Sequence, residues 1–226
     1  MPKDVAEGID ASSRQPALAL FDFDGTLTLC DSLLPFLRFA VGRLRLASGL
    51  ATVGPWLLGW KLGLIGNESA KQRLLGATLA GESAARLAEL GARFGAAILP
   101  RLVDPAALRR LRAHQRAGHA VWIVSASPAL YLVPWARSIG VQQVIASGLA
   151  FEDGRCTGSL AGGNCFGPEK VRRLEAELGP LSAYTIYAYG DSEGDREMLS
   201  AATHGHLRRF HARRRRAHLA FARALL

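Results

Sequence analysis

The sequence contains few cysteines, few lysines and no apolar leader segment. Its three cysteines, Cys30, Cys156 and Cys165, form no C-x-x-C pair, which argues against a disulfide framework and against a zinc site. The first ten residues carry acidic side chains and no apolar core, so a secretory signal is not expected. These absences favour a cytoplasmic protein with free thiols.

Positive charge is concentrated at one end of the chain. The net charge is +9, from 28 Lys and Arg against 19 Asp and Glu, and only four of the basic residues are Lys. Seven arginines fall within 206–226, a segment without acids, and removing their charge leaves +2 for the rest. Nucleic acid is therefore not expected as a partner of the nearly neutral body. The tail could rest on anionic lipid or extend as a solvated basic helix.

Short apolar runs alternate with amphipathic segments, in a chain of 226 residues that is 49% hydrophobic. The patterns predict strands at about 17–22, 119–125, 141–147 and 184–189, and a hairpin at 149–163. Helices are predicted at about 32–41, 68–80, 82–98, 104–117, 127–138, 168–178 and 193–201. Strands that alternate with helices indicate an α/β fold with a parallel sheet.

Only helices are predicted between about 32 and 100, where they interrupt this alternation. We therefore divide the chain into a catalytic core (16–30 and 101–205), a helical cap inserted at 31–100, and a basic C-terminal tail or helix at 206–226. A polar leader precedes residue 16.

The segment Leu18-Ala-Leu-Phe-Asp22-Phe-Asp24-Gly25-Thr26 is the first candidate site. An apolar run ends in two aspartates that begin on one face of a strand, and glycine marks the following loop. Carboxylates held this close repel each other, which raises a pKa or requires a cation. Because Asp-Gly is also common turn chemistry, this segment alone leaves both a surface turn and a metal site open.

Further polar residues follow other predicted strands, where an open α/β sheet places its ligands. They are Ser125 after the second strand, Asp191 and Asp195 after the fourth, and Lys170 near a helix start. Each alone has a structural explanation, as a helix cap, an acidic turn or a solvated lysine. Their joint occurrence at one edge of the sheet favours a catalytic site.

This set suits phosphoryl transfer through a carboxyl phosphate, with Mg²⁺ offsetting the charge of a phosphate monoester. Asp22 and Asp191 would hold the metal, together with the Asp24 backbone carbonyl. Asp22 would attack phosphorus, and Asp24 would act as general acid and then as general base. Ser125, Lys170 and backbone N–H groups would bind the phosphoryl oxygens. Further substrate contacts are expected at Gly25, Thr26 and Ala126. Asp195 would either hold a metal-bound water or orient Lys170.

The motifs resemble those of the haloacid dehalogenase superfamily of phosphohydrolases. In order, they are Asp22-Phe-Asp24-Gly-Thr, Val124-Ser125-Ala-Ser, Lys170, and Gly190-Asp191-Ser-Glu-Gly-Asp195. The resemblance spans about 18–200 and is similar to subfamily IB, which includes phosphoserine phosphatases and bacterial phosphatidylglycerophosphatases. It implies a Rossmann-like parallel sheet core, a C1-type helical cap, a small β-hairpin flap and Mg²⁺-dependent hydrolysis of phosphomonoesters. The second aspartate, Asp24, favours hydrolysis over the superfamily's other reactions.

The substrate is less clearly indicated. Phosphoserine phosphatases typically carry Glu nine residues after the nucleophile, where this chain has Asp31. The uncharged segment 46–60 is shorter than a membrane span and is interrupted by Gly and Pro. It is either the buried seam of the cap or an interfacial element with Trp56 and Trp60 at the lipid headgroups. A lipid-type phosphate such as phosphatidylglycerophosphate is expected, which would place the protein at the inner face of the membrane.

Other functions remain open at this point. A small-metabolite phosphate such as phosphoserine or histidinol phosphate is the first alternative. A phosphotransferase that passes the phosphoryl group to an alcohol is the second, and a membrane-surface binding module that uses the core as a scaffold is the third. Intact motifs argue against the third, because a scaffold has no need of Asp22, Asp24, Lys170 and Asp191 together.

Overall fold

A six-stranded sheet organises the part of the chain that the computed structural model describes, residues 15–207. Its strands lie in the order β4-β3-β2-β1-β5-β6, and every neighbouring pair is parallel except β3 and β4, which form an antiparallel hairpin. The bounds are Ala17–Phe21 (β1), Ala120–Pro128 (β2), Gln143–Glu152 (β3), Arg155–Ala161 (β4), Thr185–Gly190 (β5) and His204–Leu207 (β6). The α/β fold with a parallel core sheet and a hairpin is confirmed.

The described residues contain eight α-helices. They are Leu33–Lys61 (α1), Asn67–Leu79 (α2), Ala84–Ala97 (α3), Leu99–Leu102 (α4), Pro105–Arg116 (α5), Ala129–Ser138 (α6), Pro168–Leu178 (α7) and Arg196–Ser200 (α8). Asp104 caps α5 by accepting hydrogen bonds from the next turn, and Gly118, at φ +75°, follows its last turn. Helices α1 to α4 all lie between β1 and β2 in the chain, as the cap prediction requires.

The central strands are buried because helices cover both faces of the sheet. One core cluster includes Phe21 and Ala107, and a second on the other face includes Leu20 and Leu174. The first cluster continues into the inserted helices, where the rings of Phe36, Phe94 and Tyr131 lie 4.9–5.4 Å apart. This aromatic group ties α1 and α3 to α6, so the insertion is packed on the core at its base.

The long helix α1 carries the uncharged segment 46–60. It is kinked at Gly42, whose φ is +77°, and contains Pro55 in its interior. Leu46 and Val53 are buried, while Leu58 and Trp60 near its end are exposed. The segment therefore has a buried seam on one side and an exposed apolar end.

Several element boundaries differ from the sequence prediction. Strand β2 continues through Ser127 to Pro128, so α6 begins two residues later than predicted. The predicted helix at 193–201 is a 3₁₀ turn, Glu193–Asp195, followed by the short α8. Strand β6 crosses the predicted boundary between the catalytic core and the basic tail at residue 206, because His206 and Leu207 pair with Tyr189 and Gly190 of β5.

None of the helices within residues 15–207 is both long enough and apolar enough to cross a membrane. The predictions for the leader and for the arginines beyond Leu207 concern 1–14 and 208–226, which lie outside the described residues. All three cysteines are free thiols, as predicted.

Candidate active site

The end of β1 and the turn after it present the first acidic pair. The Asp22 backbone N–H donates to the Tyr189 carbonyl of β5 at 2.9 Å, which fixes Asp22 at the carboxyl edge of the sheet. Residues 23–27 then form a tight helical turn, closed by the Thr28 N–H on the Phe23 carbonyl. Gly25 within this turn has φ +79°, a conformation that L side chains rarely adopt. Sheet pairing and a glycine turn thus position both aspartates.

Lys170 is buried between two carboxylates. Its side chain is 2% exposed, and its Nζ donates to Asp22 Oδ1 at 2.7 Å and to Asp195 Oδ1 at 2.6 Å. Burial alone would lower the pKa of Lys170, but the two carboxylates together raise it above its ordinary value. The lysine is therefore held as an ammonium at physiological pH.

The loop after β5 supplies Asp191 and Asp195. Asp195 Oδ2 accepts hydrogen bonds from the Asp191 and Ser192 backbone N–H groups, each at 3.0 Å. Its other oxygen faces Lys170, so Asp195 is placed to orient the lysine, one of the two roles that its sequence position left open. A Cβ on Gly25 would lie 2.3 Å from Asp191 Oδ2. Only glycine at position 25 lets the Asp191 carboxylate approach this closely.

Three carboxylates converge with the geometry of a cation site. Oxygens of Asp22, Asp191 and Asp195 lie within 4.8 Å of one another, the only such group among residues 15–207. When all three carboxyl groups are ionised, their charge exceeds the single positive charge of Lys170 by two, an excess that a divalent cation would neutralise. The donors are all oxygen, the ligand type that Mg²⁺ prefers. Because Lys170 binds one oxygen of Asp195 and backbone N–H groups bind the other, Asp22 and Asp191 are the better candidates for direct ligands.

Asp24 has a separate environment. Its Oδ1 accepts from the Ser32 N–H at 2.9 Å, and its Oδ2 accepts from Ser127 Oγ at 2.5 Å. Burial, with the nearby charge of Asp31, raises the pKa of Asp24 to about 8, although the two hydrogen bonds lower it. Burial also raises the pKa of Asp22, to about 7, against the opposing effect of Lys170. A protonated Asp24 at neutral pH is suited to donate a proton.

These residues surround a single cavity of about 910 Å³. At one end it is lined by acidic and basic groups and by Ser125 and Ala126, whereas the helices of the insertion supply an apolar wall. That wall consists of Leu33, Leu34, Leu50, Leu57, Leu58, Trp60, Ala70 and Leu74. The cavity therefore combines a charged end with a long apolar side, which suits a ligand that has both characters.

The structure brings together most of the predicted site residues. Asp31 also lines the cavity, although its Oδ1 accepts from the Leu33 N–H at the start of α1. Thr26 is 2% exposed and lies outside the cavity lining. The turn folds the Thr26 side chain into the protein and leaves Gly25 at the cavity, and the substrate contact at Thr26 stays a prediction.

Two residues in the site were missed by sequence analysis. Lys71 of α2 lines the cavity and donates to the Ala126 carbonyl and, at 3.1 Å, to Asn164 Oδ1. Ser127 binds Asp24. The signal for Ser127 was its position two residues after Ser125 on an extended strand. Lys71 could have been suspected because lysine is scarce in this chain, and all three lysines within 15–207 line this cavity.

Comparisons with known proteins identify the family of the chain. Residues 19–200 match the family model of haloacid dehalogenase-like hydrolase. Protein CicA of Caulobacter vibrioides is 37% identical over 211 residues, covering 88% of this chain and 91% of that protein. Phosphoserine phosphatase SerB1 of Mycobacterium tuberculosis is 30% identical over 213 residues, covering 88% of this chain and 68% of SerB1. A solved structure of a protein with unknown function from Bordetella pertussis Tohama I has a TM-score of 0.74 and 30% identity, covering 84% of this chain and 88% of that one.

Proposed function

The chain belongs to the haloacid dehalogenase-like hydrolases and is a phosphatase, and we propose that it hydrolyses phosphomonoesters through a phosphorylated Asp22 with the help of Mg²⁺. The observation that carries the proposal is the buried contact of Lys170 with both Asp22 and Asp195, next to Asp191. A carboxylate that must attack an anionic phosphate needs a fixed cationic partner and a metal site beside it. Asp22 has both.

Asp22 and Asp191 would hold Mg²⁺, with the Asp24 backbone carbonyl as a further ligand. The convergence of their carboxylates and the close approach that Gly25 allows support this assignment. The ion would supply charge neutralisation, so that an anionic phosphate and a carboxylate nucleophile can meet.

The first step forms a bond between an Asp22 carboxylate oxygen and phosphorus, while the bond from phosphorus to the leaving oxygen breaks. Protonated Asp24 gives its proton to the leaving oxygen, which departs as an alcohol. Its pKa of about 8 keeps it protonated at neutral pH. Lys170 and Ser125 stabilise the charge of the phosphoryl oxygens in the transition state.

The second step uses the same carboxyl group in reverse. Asp24, now ionised, removes a proton from water as the water oxygen attacks phosphorus. The bond between phosphorus and Asp22 breaks, inorganic phosphate leaves, and Asp24 is again protonated. Ser127 and the Ser32 N–H hold the Asp24 carboxyl in one orientation through both steps.

We further propose that the substrate carries an apolar body, as a lipid-type phosphate does. The apolar wall of the cavity supports this, because a small polar metabolite would leave it in contact with water. Phosphoserine is the second candidate, favoured by the name of the 30% identical relative SerB1 and by the Asp31 carboxylate at the cavity. The two candidates differ in what fills the apolar side.

A phosphate-release assay tests the proposal. The purified chain should release phosphate from p-nitrophenyl phosphate with Mg²⁺, and EDTA should stop the reaction. Natural monoesters then rank the substrates: phosphoserine, histidinol phosphate, sugar phosphates, lysophosphatidic acid and phosphatidylglycerophosphate. We expect the acylated substrates to have the highest kcat/KM. Added acceptor alcohols that capture the phosphoryl group instead of water would identify a phosphotransferase and contradict the proposal.

A further inference from the structure

Four large apolar side chains are exposed together where α1 ends. Leu58 is 58% exposed, Trp60 41%, Leu62 65% and Leu64 78%. We call residues 58–64 the tip. Single exposed leucines are ordinary on a protein surface, whereas a continuous apolar patch marks a site of interaction.

The tip is a built structure. The Leu62 N–H donates to the Leu58 carbonyl, and the Leu64 N–H donates to the Gly59 carbonyl. Ile65 folds back on the helix and packs at Gly59, where a Cβ would lie only 2.8 Å from Ile65 Cδ1. The last turn of α1 and the turn that follows it are therefore hydrogen-bonded together, with Leu58, Leu62 and Leu64 exposed.

The tip is continuous with the substrate cavity. Leu58, Trp60 and Lys61 belong to both, since they line the cavity and are also exposed to solvent. Further in, Leu57 and Leu50 extend the apolar wall toward the charged end that holds Asp22. The cavity therefore offers an apolar chain contacts with α1 residues that are exposed at the tip and with others that are less exposed.

Basic side chains lie next to the tip. Residues 32–67 contain four basic side chains and no acid. Lys61 is exposed at the tip, and the guanidinium of the exposed Arg73 lies 4.7 Å from the ring centroid of Trp56. The nearest acid along the chain, Glu68, accepts hydrogen bonds from Gln72 and from the Asn164 N–H. An apolar patch beside the exposed cations Lys61 and Arg73 is complementary to an anionic lipid surface.

We propose that the tip inserts into the headgroup region of an anionic phospholipid bilayer and that the cavity takes its substrate from that bilayer. The choice of a membrane over a second protein copy follows from the cavity, because Leu58 and Trp60 line it and are also exposed at the tip, which serves a lipid ligand and has no use in a dimer contact. The second part of the proposal rests on the proposed phosphatase activity, whereas the docking itself does not.

The test uses the full chain and the double variant Leu62→Ser/Leu64→Ser, whose side chains lie on the tip but outside the cavity lining. Leu44→Ser is the matched control, because Leu44 is 88% exposed on the same helix but distant from the tip in sequence. Co-sedimentation is measured with vesicles of phosphatidylcholine alone and of phosphatidylcholine with phosphatidylglycerol. Hydrolysis of p-nitrophenyl phosphate and of a vesicle-borne phosphomonoester is measured in parallel.

We expect the wild type and Leu44→Ser to bind the anionic vesicles. The double variant should bind at least about tenfold more weakly, because two leucines no longer leave water on docking. It should keep full activity on p-nitrophenyl phosphate and lose activity on the vesicle-borne substrate.

Three results would overturn the docking proposal. They are absence of vesicle binding by the wild type, equal binding by the double variant, and a loss of self-association in the double variant with no change in vesicle binding. The last would assign the tip to a second copy of the chain. If the wild type binds vesicles through the tip but hydrolyses no phosphomonoester, the phosphatase mechanism fails and the docking stands.

Discussion

The Lys170 ammonium lies 2.7 Å from the Asp22 carboxylate, although 148 positions separate the two residues in the chain and both side chains are buried. The second contact of the lysine, with Asp195, makes a buried triad of one cation and two anions. Removing one member of a buried ion pair leaves a charge without compensation. The triad therefore contributes to stability as well as to the proposed chemistry.

Lys170→Met should lower both stability and activity. In EDTA at neutral pH, the free energy of unfolding should fall by about 3–5 kcal/mol, because Asp22 and Asp195 would face each other in the interior. Protonation of Asp22 relieves this repulsion, so the loss should be smaller at acidic pH. Urea denaturation followed by circular dichroism measures both. Lys61→Met is the control, since this exposed lysine should change stability by less than about 0.5 kcal/mol. Equal stability of Lys170→Met and wild type would contradict the account.

Gly25→Ala should impair the metal site. The new Cβ would meet Asp191 Oδ2 at 2.3 Å and would force an L residue to adopt φ +79°. We expect a higher Mg²⁺ concentration for half-maximal activity and a large drop in kcat. Gly118→Ala separates the two effects, because Gly118 has φ +75° and no atom within 4 Å of its ideal Cβ. It should reproduce the backbone strain and leave the Mg²⁺ dependence unchanged; an equal shift in both variants would exclude the contact with Asp191 as the cause.

Much of this site could be predicted from the sequence, for identifiable physical reasons. Asp22 and Asp191 each follow an apolar strand, Ser125 lies near the end of another, and parallel strands bring their carboxyl ends to one edge. Strand β6 was missed because His204-Gly-His-Leu is short and lacks a β-branched run; it is fixed by pairing with β5.

Contacts between distant elements could not be predicted. Lys71 reaches the Ala126 carbonyl only because α2 packs beside the loop that carries Asn164. The division of α1 into a buried seam and an exposed tip also depends on where the helices of the insertion pack. Local patterns of hydrophobicity contain no information about such packing. The contact of the arginine-rich tail beyond Leu207 with anionic lipid remains a prediction.

Asp24→Asn should separate the two chemical steps. p-Nitrophenolate departs without protonation, so the variant should release about one equivalent of it in a burst and then turn over slowly, because no base activates water. An alkyl phosphate needs a proton on its leaving oxygen and should give no burst. Stopped-flow absorbance and quenched phosphate release measure the two cases. Steady turnover of both substrates at the wild-type rate would remove Asp24 from the mechanism.

The pH dependence of stability tests the environment of Asp24. Burial raises its pKa to about 8, compared with 3.8 as the reference value. Between these values the native state holds a proton that the unfolded state has lost, so the free energy of unfolding falls as pH rises through this interval. In EDTA, the free energy of unfolding of Asp24→Asn should fall less steeply with pH than that of the wild type, by up to about 1.4 kcal/mol per pH unit.

Comparison with the variant is needed because His114 acts in the opposite direction. Burial lowers the pKa of His114 to about 4, which makes stability increase with pH between that value and its ordinary one. Parallel stability curves for wild type and Asp24→Asn between pH 5 and pH 8 would show that Asp24 is not protonated in the native state.

The central claim is that Asp22 becomes phosphorylated, and rapid quenching tests it most directly. Wild-type protein mixed with p-nitrophenyl phosphate and Mg²⁺ is quenched in acid within one turnover and reduced with borohydride, which converts an acyl phosphate to an alcohol. Peptide mapping should then find homoserine at position 22, and Asp22→Asn should give neither the modification nor turnover while keeping the circular dichroism of the wild type. Reduction at another carboxylate, or full turnover by Asp22→Asn, would contradict the account.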